Sequence, residues 1–363
     1  MTDLLELLQP FIEAVYSKLT QRLPSLWYRR SLALPLLPLL PFSWLFRGVL
    51  GVRRVLYRYG FLSIQSLAVP LIVVGNLTAG GSGKTPLVLW LVQRLQEKGW
   101  RPGIISRGYG GSSEGVCLVT PDASPARVGD EPLLLARRSG VPVCIGKDRA
   151  AAGQALLAAH PECDIIVSDD GLQHLRLGRD VEIAVFDGRG AGNAQLLPAG
   201  PLRDPLARLA EVSAVVWNRS AAGESASLPV TLACPQFSMR LAGERFRSLN
   251  LPYRYCSASE LSGQRLHALA GIGHPERFFA QLRALGLVFE PHPFPDHYVY
   301  RASDLAFGTG SVLLMTEKDA VKCAGLARCE TWVLPVEAEL SLAPDGQSLL
   351  DTILEKLNGR PPA

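Results

Sequence analysis

A glycine-rich segment that ends in lysine and threonine is the part of this sequence best suited to hold phosphate groups. The segment GNLTAGGSGKTP at 75–86 follows the apolar run VPLIVV at 69–74, and apolar residues at helical spacing come after it, up to Gly99. A strand, a loop and a helix in this order point backbone N–H groups at a phosphate, while Lys84 adds a positive charge and the Thr85 hydroxyl can bind Mg²⁺. The sequence therefore predicts a nucleotide site formed by Thr78, Ala79, Gly80, Gly81, Ser82, Gly83, Lys84 and Thr85.

This loop departs from the strict GxxxxGK[ST] pattern of phosphate-binding loops. Thr78 stands five residues before Gly83, where that pattern has its first glycine. The alternative interpretation is a glycine-rich turn with an accidental GKT, and the strand and helix expected on either side disfavour it. Nucleotide binding is therefore the function that the first half of the chain predicts.

Two adjacent carboxylates follow a second apolar run. The segment CDIIVSDD at 163–170 ends in Asp169 and Asp170. Carboxylates at the carboxyl end of a parallel strand lie where doubly wound sheets bind ligands, so one of the two is expected to share a Mg²⁺ ion with Thr85. The alternative is a solvated turn with an aspartate that caps a helix. The sequence does not decide which of the two carboxylates binds the metal directly.

Further acidic residues stand where other strands are expected to end. Asp130 lies in GDEP at 129–132, and Asp204 lies in a proline-rich segment before another helix. Either could simply cap a helix whose first turn holds a proline. In the second half of the chain, Asp296 and His297 are neighbours whose side chains can orient each other or a partner acid, although a single loop histidine is more often structural.

Composition and patterning indicate an α/β protein. The chain has 363 residues, of which 48% are hydrophobic and 19% charged, and this balance excludes a disordered or fibrous chain. Apolar runs alternate with helical patterns, which is typical of parallel sheets covered by helices. The small polar segment SAAGESAS marks the expected domain boundary. We predict an N-terminal membrane-interface segment at 1–60, a nucleotide-binding core lobe with a parallel sheet at 61–222, and a linker with a second, smaller α/β lobe at 223–363.

The charge distribution points to a membrane surface rather than to nucleic acid. Residues 1–60 hold eight lysines and arginines against three acids, whereas the rest of the chain has a net charge of −1. The seven cysteines are dispersed, with no Cys-x-x-Cys motif and no histidine pair at zinc spacing, so reduced thiols in the cytosol are expected.

A helix near residues 42–58 is predicted to lie in the membrane interface. An apolar face, opposed by Arg47, Arg54 and Arg58, suits a helix that lies in the plane of a bilayer. The alternative is a helix that packs on the core of the protein itself. The uncharged run at 31–46 contains three prolines and is too short to span a bilayer, and no signal peptide is expected. The predicted apolar face consists of Phe42, Leu45, Val49, Val52 and Leu56.

Seven motifs in a fixed order together resemble the tetraacyldisaccharide 4′-kinases, the lipid A 4′-kinases of Gram-negative bacteria. The resemblance runs from about residue 30 to about residue 340. In chain order the motifs are GNLTAGGSGKTP (75–86), SRGYGG (106–111), GDEP (129–132), DDGLQH (169–174), LPAGPLR (197–203), FPDH (294–297) and MTEKDA (315–320).

The resemblance implies a P-loop NTPase-like kinase that transfers the γ-phosphate of ATP, with Mg²⁺, to the 4′-hydroxyl of an acylated glucosamine disaccharide 1-phosphate, to form lipid IVA. It implies two α/β lobes with the site between them, and a peripheral or monotopic position on the cytoplasmic face of the inner membrane. A monomer is expected. Asp130 would be the base, assisted by His297, and Lys84 would hold the β- and γ-phosphates. The metal ligands would come from Thr85, Asp169, Asp170 and Asp204.

Three positions depart from the family pattern. Asp204 and His274 stand where members often carry glutamate and asparagine, and Tyr298 stands where histidine is common. These differences put the metal role of Asp204 and any role of His274 in question. The alternatives are a kinase of another membrane lipid or sugar, a membrane-associated NTPase switch, and a peripheral scaffold with a vestigial loop.

Overall fold

The computed structural model describes residues 23–29, 31–219, 228–251 and 253–357. The first part of the predicted membrane-interface segment and the predicted boundary segment at 220–227 lie outside these residues. The strands are β1 (Leu71–Gly75), β2 (Pro102–Ser106), β3 (Cys117–Val119), β4 (Val143–Ile145), β5 (Ile165–Asp169), β6 (Val181–Asp187), β7 (Ala214–Asn218), β8 (Gln236–Ala242), β9 (Arg245–Ser248), β10 (Tyr255–Ser257), β11 (Arg265–Ala270), β12 (Phe289–Pro293), β13 (Ser311–Thr316), β14 (Glu330–Leu334) and β15 (Glu337–Leu340).

The α-helices alternate with these strands over much of the chain. They are α1 (Leu40–Arg58), α2 (Lys84–Glu97), α3 (Pro125–Val128), α4 (Asp130–Ser139), α5 (Arg149–Ala159), α6 (Ala258–Leu261), α7 (Pro275–Ala284), α8 (Glu317–Cys323) and α9 (Leu349–Lys356). Short 3₁₀ segments lie at Leu34–Leu39, Leu206–Ala210 and Ala302–Leu305. The α/β class predicted from the sequence is confirmed.

The first sheet has the strand order β15-β8-β7-β6-β1-β5-β2-β4-β3. The strands from β8 to β4 are parallel, and β15 and β3 pair antiparallel at the two edges. Strands β1, β5 and β6 are buried along their whole length, because apolar clusters cover both faces of the sheet. Val74 pairs with Asp169, so β1 and β5 end side by side at the same edge.

The predicted elements of this sheet lie close to the observed ones. The strand expected at 69–74 is β1, at Leu71–Gly75, and the strand expected at 163–170 is β5, at Ile165–Asp169. Helix α2 begins at Lys84, so that Pro86 lies in its first turn. Lysine and threonine of the loop therefore belong to the helix N-terminus.

The second sheet has the order β10-β9-β14-β13-β11-β12. Its four strands from β14 to β12 are parallel, and β9 and β10 continue it antiparallel. The predicted boundary after residue 222 falls between β7 and β8. Yet β8, β15 and α9 all join the first sheet or its core, because Phe237, Met239 and Ile353 are apolar side chains buried there. The chain thus passes to the second sheet only after β8 and returns with β15.

Helix α1 packs on the body through one narrow stripe. The Ser43 Oγ donates to Leu196 O (2.8 Å) and accepts from Ala199 N (3.0 Å), and Phe46 and Leu50 pack against an apolar cluster of the first sheet. Most of the predicted apolar face points away from the body: Phe42, Leu45, Val49 and Val52 are each more than half exposed, whereas Leu56 is half-buried. By length and composition alone, the helical stretch Leu34–Arg58 could also cross a membrane.

Candidate active site

The glycine-rich loop joins β1 to α2 at the carboxyl edge of the first sheet. Gly83 caps α2 with a φ of +90°, and a Cβ atom there would lie 2.2 Å from the Asn218 Nδ2 atom. That amide donates to Ser82 O at 3.0 Å from the end of β7. Only glycine fits both the left-handed backbone and this close approach, so the neighbouring strand fixes the shape of the loop.

Asn76 holds the two ends of the loop together. Its Nδ2 atom donates to Gly80 O (3.0 Å), and its Oδ1 atom accepts from the Lys84 Nζ atom (3.3 Å). The guanidinium of Arg203 donates to Asn76 O at 3.1 Å. The amino group of Lys84 also lies 3.5 Å from Asp170 Oδ1. The predicted lysine is therefore positioned inside the loop before any phosphate arrives.

The two carboxylates after β5 have different surroundings. The Asp170 carboxylate receives two hydrogen bonds from Arg203 (2.9 and 3.1 Å) and faces Lys84. Burial would raise the pKa of Asp170, but the charges of Lys84 and Arg203 lower it far below its ordinary value. Asp170 is therefore an ionised carboxylate that is already neutralised by protein cations.

Asp169 is the carboxylate with an oxygen atom that can still bind a ligand. It is buried at the carboxyl end of β5, and its Oδ1 atom has no hydrogen-bond partner among the described residues. Its Oδ2 atom lies 3.5 Å from the hydroxyl of Ser106, at the end of β2. Burial raises the pKa of Asp169 to about 7, and the nearby Glu131 adds to the shift. A buried carboxylate with an unpartnered oxygen fits a bound metal ion, and Thr85 lies in the first turn of α2 at the same sheet edge.

Asp204 lies behind the loop, next to α1. Its carboxylate pairs with Arg54 of α1 (3.4 Å) and accepts from Gln173 Nε2 (3.2 Å), and the same amide donates to Asn76 O (3.0 Å). Burial raises the pKa of Asp204. The structure therefore gives this predicted metal ligand a set of protein partners that connect α1 to the loop.

Asp130 and His297 meet although they are 167 residues apart in the sequence. Asp130 is the buried first residue of α4, and the Nδ1 atom of His297 lies 3.1 and 3.2 Å from its two carboxylate oxygens. His297 follows β12 with a φ of +59°, and its ring packs against Tyr109 at 4.9 Å between ring centroids. The predicted pair of base and histidine is thus brought together where a helix beside the first sheet meets a loop of the second.

Each member of this pair shifts the pKa of the other. The hydrogen bond to Asp130 raises the pKa of His297. Burial would raise the pKa of Asp130, but the hydrogen bond from His297 and the charges of Lys318 and Lys322 lower it. The pair therefore favours an ionised carboxylate beside a protonated imidazole.

Lys318 completes the site, although no role for it is predicted from the sequence. From α8 of the second sheet its Nζ atom lies 2.8 Å from Glu131, 2.9 Å from Asp296 and 3.9 Å from Asp130. Burial would lower the pKa of Lys318, but the three carboxylates raise it well above its ordinary value. A sequence signal for such a cation is the excess of acidic residues in the motifs around Asp130 and Asp296, because clustered carboxylates need a positive charge nearby.

Several arginines near the loop were also missed. Arg149, at the start of α5, is buried and donates to the main-chain oxygens of Asp169 (3.1 Å) and Asp170 (3.0 Å), while burial lowers its pKa to about 10. Arg189 lies over the ring of Tyr28 at 4.4 Å and donates to Gly81 O at 3.4 Å. Cations around a loop of backbone N–H groups suit a polyphosphate.

Together these groups can carry out phosphoryl transfer. A loop with a lysine holds phosphates, a buried carboxylate with a free oxygen accepts a metal ion, and a polarised carboxylate can orient a hydroxyl nucleophile.

Comparison with known proteins agrees with this chemistry. The sequence model of the tetraacyldisaccharide-1-P 4′-kinase family matches residues 36–358. Tetraacyldisaccharide 4′-kinases of Dechloromonas aromatica and of Azoarcus sp. are each 53% identical to this chain over 341 residues, which is 94% of the chain and 95% and 97% of those proteins. The crystal structure of the "apo" form of LpxK from Aquifex aeolicus in complex with ATP superposes with a TM-score of 0.74 at 32% identity, over 88% of this chain and 98% of that one.

Replacement of Lys318 tests its control over Asp130. In Lys318→Met the positive charge is lost, so the pKa of Asp130 should rise and the acidic limb of the kcat–pH profile should move to higher pH. The matched control is Lys98→Met, an exposed lysine at the end of α2. An unchanged profile in Lys318→Met, with the control also unchanged, would contradict the assigned role.

Proposed function

The chain belongs to the tetraacyldisaccharide-1-P 4′-kinase family, and we propose how its residues carry out the reaction. The enzyme transfers the γ-phosphate of ATP to the 4′-hydroxyl of a tetraacylated glucosamine disaccharide 1-phosphate. The observation that carries the mechanism is the contact between Asp130 and His297, because it joins an ionised carboxylate of the first sheet's helix to an imidazole of the second sheet's loop. In this proposal the two sheets belong to two lobes, with the acceptor sugar in the cleft between them.

Asp130 is the group that receives the proton of the sugar hydroxyl. A carboxylate of low pKa is a weak base toward a free alcohol, so its first role is to orient the hydroxyl by accepting its hydrogen bond. The hydroxyl becomes acidic only as its oxygen bonds to phosphorus, and the proton then passes to Asp130. His297 holds the carboxylate in place through Nδ1, and Lys318 keeps it ionised.

The nucleotide phosphates lie along the glycine-rich loop. The loop N–H groups and the Lys84 amino group bind the β- and γ-phosphates, and Asn76 keeps that amino group in the loop. When a phosphate draws the amino group away from Asp170, Arg203 still neutralises that carboxylate. The acceptor thus meets a phosphate that is held by groups from one rigid sheet edge.

Asp169 is the proposed carboxylate ligand of Mg²⁺, together with the Thr85 hydroxyl. The unpartnered Oδ1 atom of Asp169 supports this choice, whereas both oxygens of Asp170 are bound by Arg203. When bound, the metal ion neutralises charge on the β- and γ-phosphate oxygens. Asp204 remains a predicted metal ligand, and its carboxylate contacts Arg54 and Gln173 in this structure.

Helix α1 is the proposed contact with the membrane. Its outward face carries large apolar side chains, and the body holds the opposite stripe through Ser43, Phe46 and Leu50. A helix that packs only on its own protein would bury those apolar residues instead. This arrangement supports a peripheral or monotopic enzyme on the cytoplasmic face of the inner membrane, where an acyl-chain substrate is available. The monomeric state remains a prediction.

The function is tested by transfer of the labelled γ-phosphate of ATP to tetraacyldisaccharide 1-phosphate in mixed micelles. Asp130→Asn should lower kcat by roughly 10²–10⁴-fold, because general base catalysis contributes that much. Binding of ATP should persist, since the contacts of Asp130 are with His297, Lys318 and Lys322 and not with the loop.

The matched control for this experiment is Asp122→Asn in an exposed turn, which should keep full activity. An Asp130→Asn enzyme that phosphorylates the lipid at the normal rate would contradict the base assignment. A wild-type enzyme that hydrolyses ATP but never phosphorylates the lipid would contradict the acceptor and favour the NTPase switch.

Asp169→Asn tests the metal assignment. An amide cannot supply the negative ligand atom, so the Mg²⁺ concentration at half-maximal activity should rise at least about tenfold. Asp170→Asn is the neighbouring control: it should lower kcat through Lys84 and Arg203 but leave the Mg²⁺ dependence little changed. If Asp170→Asn raised the required Mg²⁺ concentration and Asp169→Asn did not, the metal ligand would be Asp170.

Changes on the outer face of α1 test the membrane contact. The double variant Leu45→Glu, Val52→Glu should lower partitioning to vesicles of anionic phospholipid at least about tenfold, because both side chains would enter the interface. Leu251→Glu changes a similarly exposed apolar residue near the second sheet and should leave partitioning unchanged. Equal partitioning of all three proteins in a sedimentation assay would show that α1 is not the contact.

A further inference from the structure

Three side chains with metal-ligating atoms converge on the second sheet, away from the phosphate loop. His267 lies on β11, and Glu290 and His292 lie on the edge strand β12. The parallel register pairs His267 with Glu290, and His292 is two residues further along the same strand. Because side chains alternate along a strand, Glu290 and His292 share one face of the sheet with His267.

The distances within this cluster are close to those of a metal coordination shell. The His267 Nδ1 atom lies 3.0 Å from His292 Nε2 and 3.4 Å from Glu290 Oε2, and His292 Nε2 lies 4.0 Å from Glu290 Oε1. Ligand atoms at Zn–N and Zn–O distances of about 2.0–2.1 Å in a tetrahedron are about 3.3 Å apart. Small side-chain shifts would therefore let all three atoms contact one ion.

A divalent cation would satisfy all three ligand atoms of the cluster at once. A single shared proton between the two imidazoles leaves the carboxylate unpartnered in the cluster, whereas a divalent ion binds all three atoms. The other ring nitrogen of His267 has no hydrogen-bond partner among the described residues, so the polar contacts of this buried ring all pass through Nδ1. Its ring also stacks on Phe307 at 4.3 Å, which fixes the orientation of the ring.

The cluster is closed on one side and open on the other. The His267 side chain is 6% exposed, His292 is 25% exposed and Glu290 is 64% exposed. An ion could enter from solvent and keep one or more water ligands on the open side. Two imidazoles and one carboxylate suit a borderline ion such as Zn²⁺, Co²⁺ or Ni²⁺ better than Mg²⁺, which prefers oxygen ligands.

We propose that His267, Glu290 and His292 form a site for one divalent transition-metal ion of the Zn²⁺ class, which clamps the edge strand β12 to β11. The site is separate from the Mg²⁺ site of the kinase reaction and does not depend on that assignment. The sequence did not predict this site because its ligands come from two strands. Only the spacing Glu-x-His is local, and the second histidine is 25 residues away.

The clamp would act on the loops that enter the active site. His292 lies five residues before His297, and the intervening Phe294 N atom donates to Ala270 O at 2.9 Å, at the end of β11. Strand β11 then leads to Gly273, where a Cβ would lie 2.8 Å from Gly81 N of the phosphate loop. An ion that ties the two strands would therefore stiffen both loops.

The test is a titration of the metal-free full-length protein with Co²⁺ in the presence of Mg²⁺. Binding is monitored through the visible absorption of the bound Co²⁺. The wild type should bind one Co²⁺ per chain with a d–d band, and Zn²⁺ should displace it and raise the Tm. His292→Gln and Glu290→Gln, at partly exposed positions, should each weaken binding at least about tenfold. The matched control is His160→Gln, which removes another histidine that contacts a glutamate (3.0 Å to Glu162) and should bind like wild type.

Two results would overturn the proposal. If the wild type takes up no Co²⁺, the cluster is a hydrogen-bonded triad of two histidines and a glutamate. If His292→Gln binds Co²⁺ as tightly as the wild type, the ion lies elsewhere on the chain. Neither result bears on phosphate transfer, which the labelled-ATP assay measures separately.

Discussion

The contact between Asp130 and His297 is the interaction on which the rest of the site depends. The carboxylate belongs to a helix of the first sheet and the imidazole to a loop of the second, so the pair exists only when the two parts of the chain are docked. Lys318 adds a second connection between the same parts through Glu131 and Asp296. In our account the catalytic base is therefore complete only when the two parts of the chain are docked, and residues of the second sheet keep the Asp130 carboxylate ionised.

Several acidic residues lie close together at this sheet edge. They can do so because nearby positive charges neutralise them. Asp170 is neutralised by Arg203 and Lys84, and Asp130 by His297 and Lys318, all from the protein. Among the acidic residues described at this edge, Asp169 is the one with a buried oxygen that has no hydrogen-bond partner, and burial raises its pKa. The missing positive charge is what we assign to the metal ion.

Local patterns predicted the parts of the site that lie within one strand, loop and helix. The phosphate loop, the two aspartates after β5 and Asp130 at the start of α4 follow from apolar runs and their ends. The sequence could not predict contacts that depend on how sheets cross, such as Lys318 beside Glu131 or the return of β15 to the first sheet. From the residues alone His297 was a candidate because it neighbours Asp296; its pairing with Asp130 came only through the family resemblance, since an isolated loop histidine carries no spacing signal.

A double-mutant cycle on Asp130 and His297 tests the central claim most directly. The measurement is kcat for phosphate transfer in the wild type, Asp130→Asn, His297→Asn and the double variant. If the two side chains act as one unit, the His297 change should add little loss once Asp130 is replaced, as for other catalytic groups that act together. If the two losses instead multiply, the residues act independently and the docking of the two sheets does not form the base.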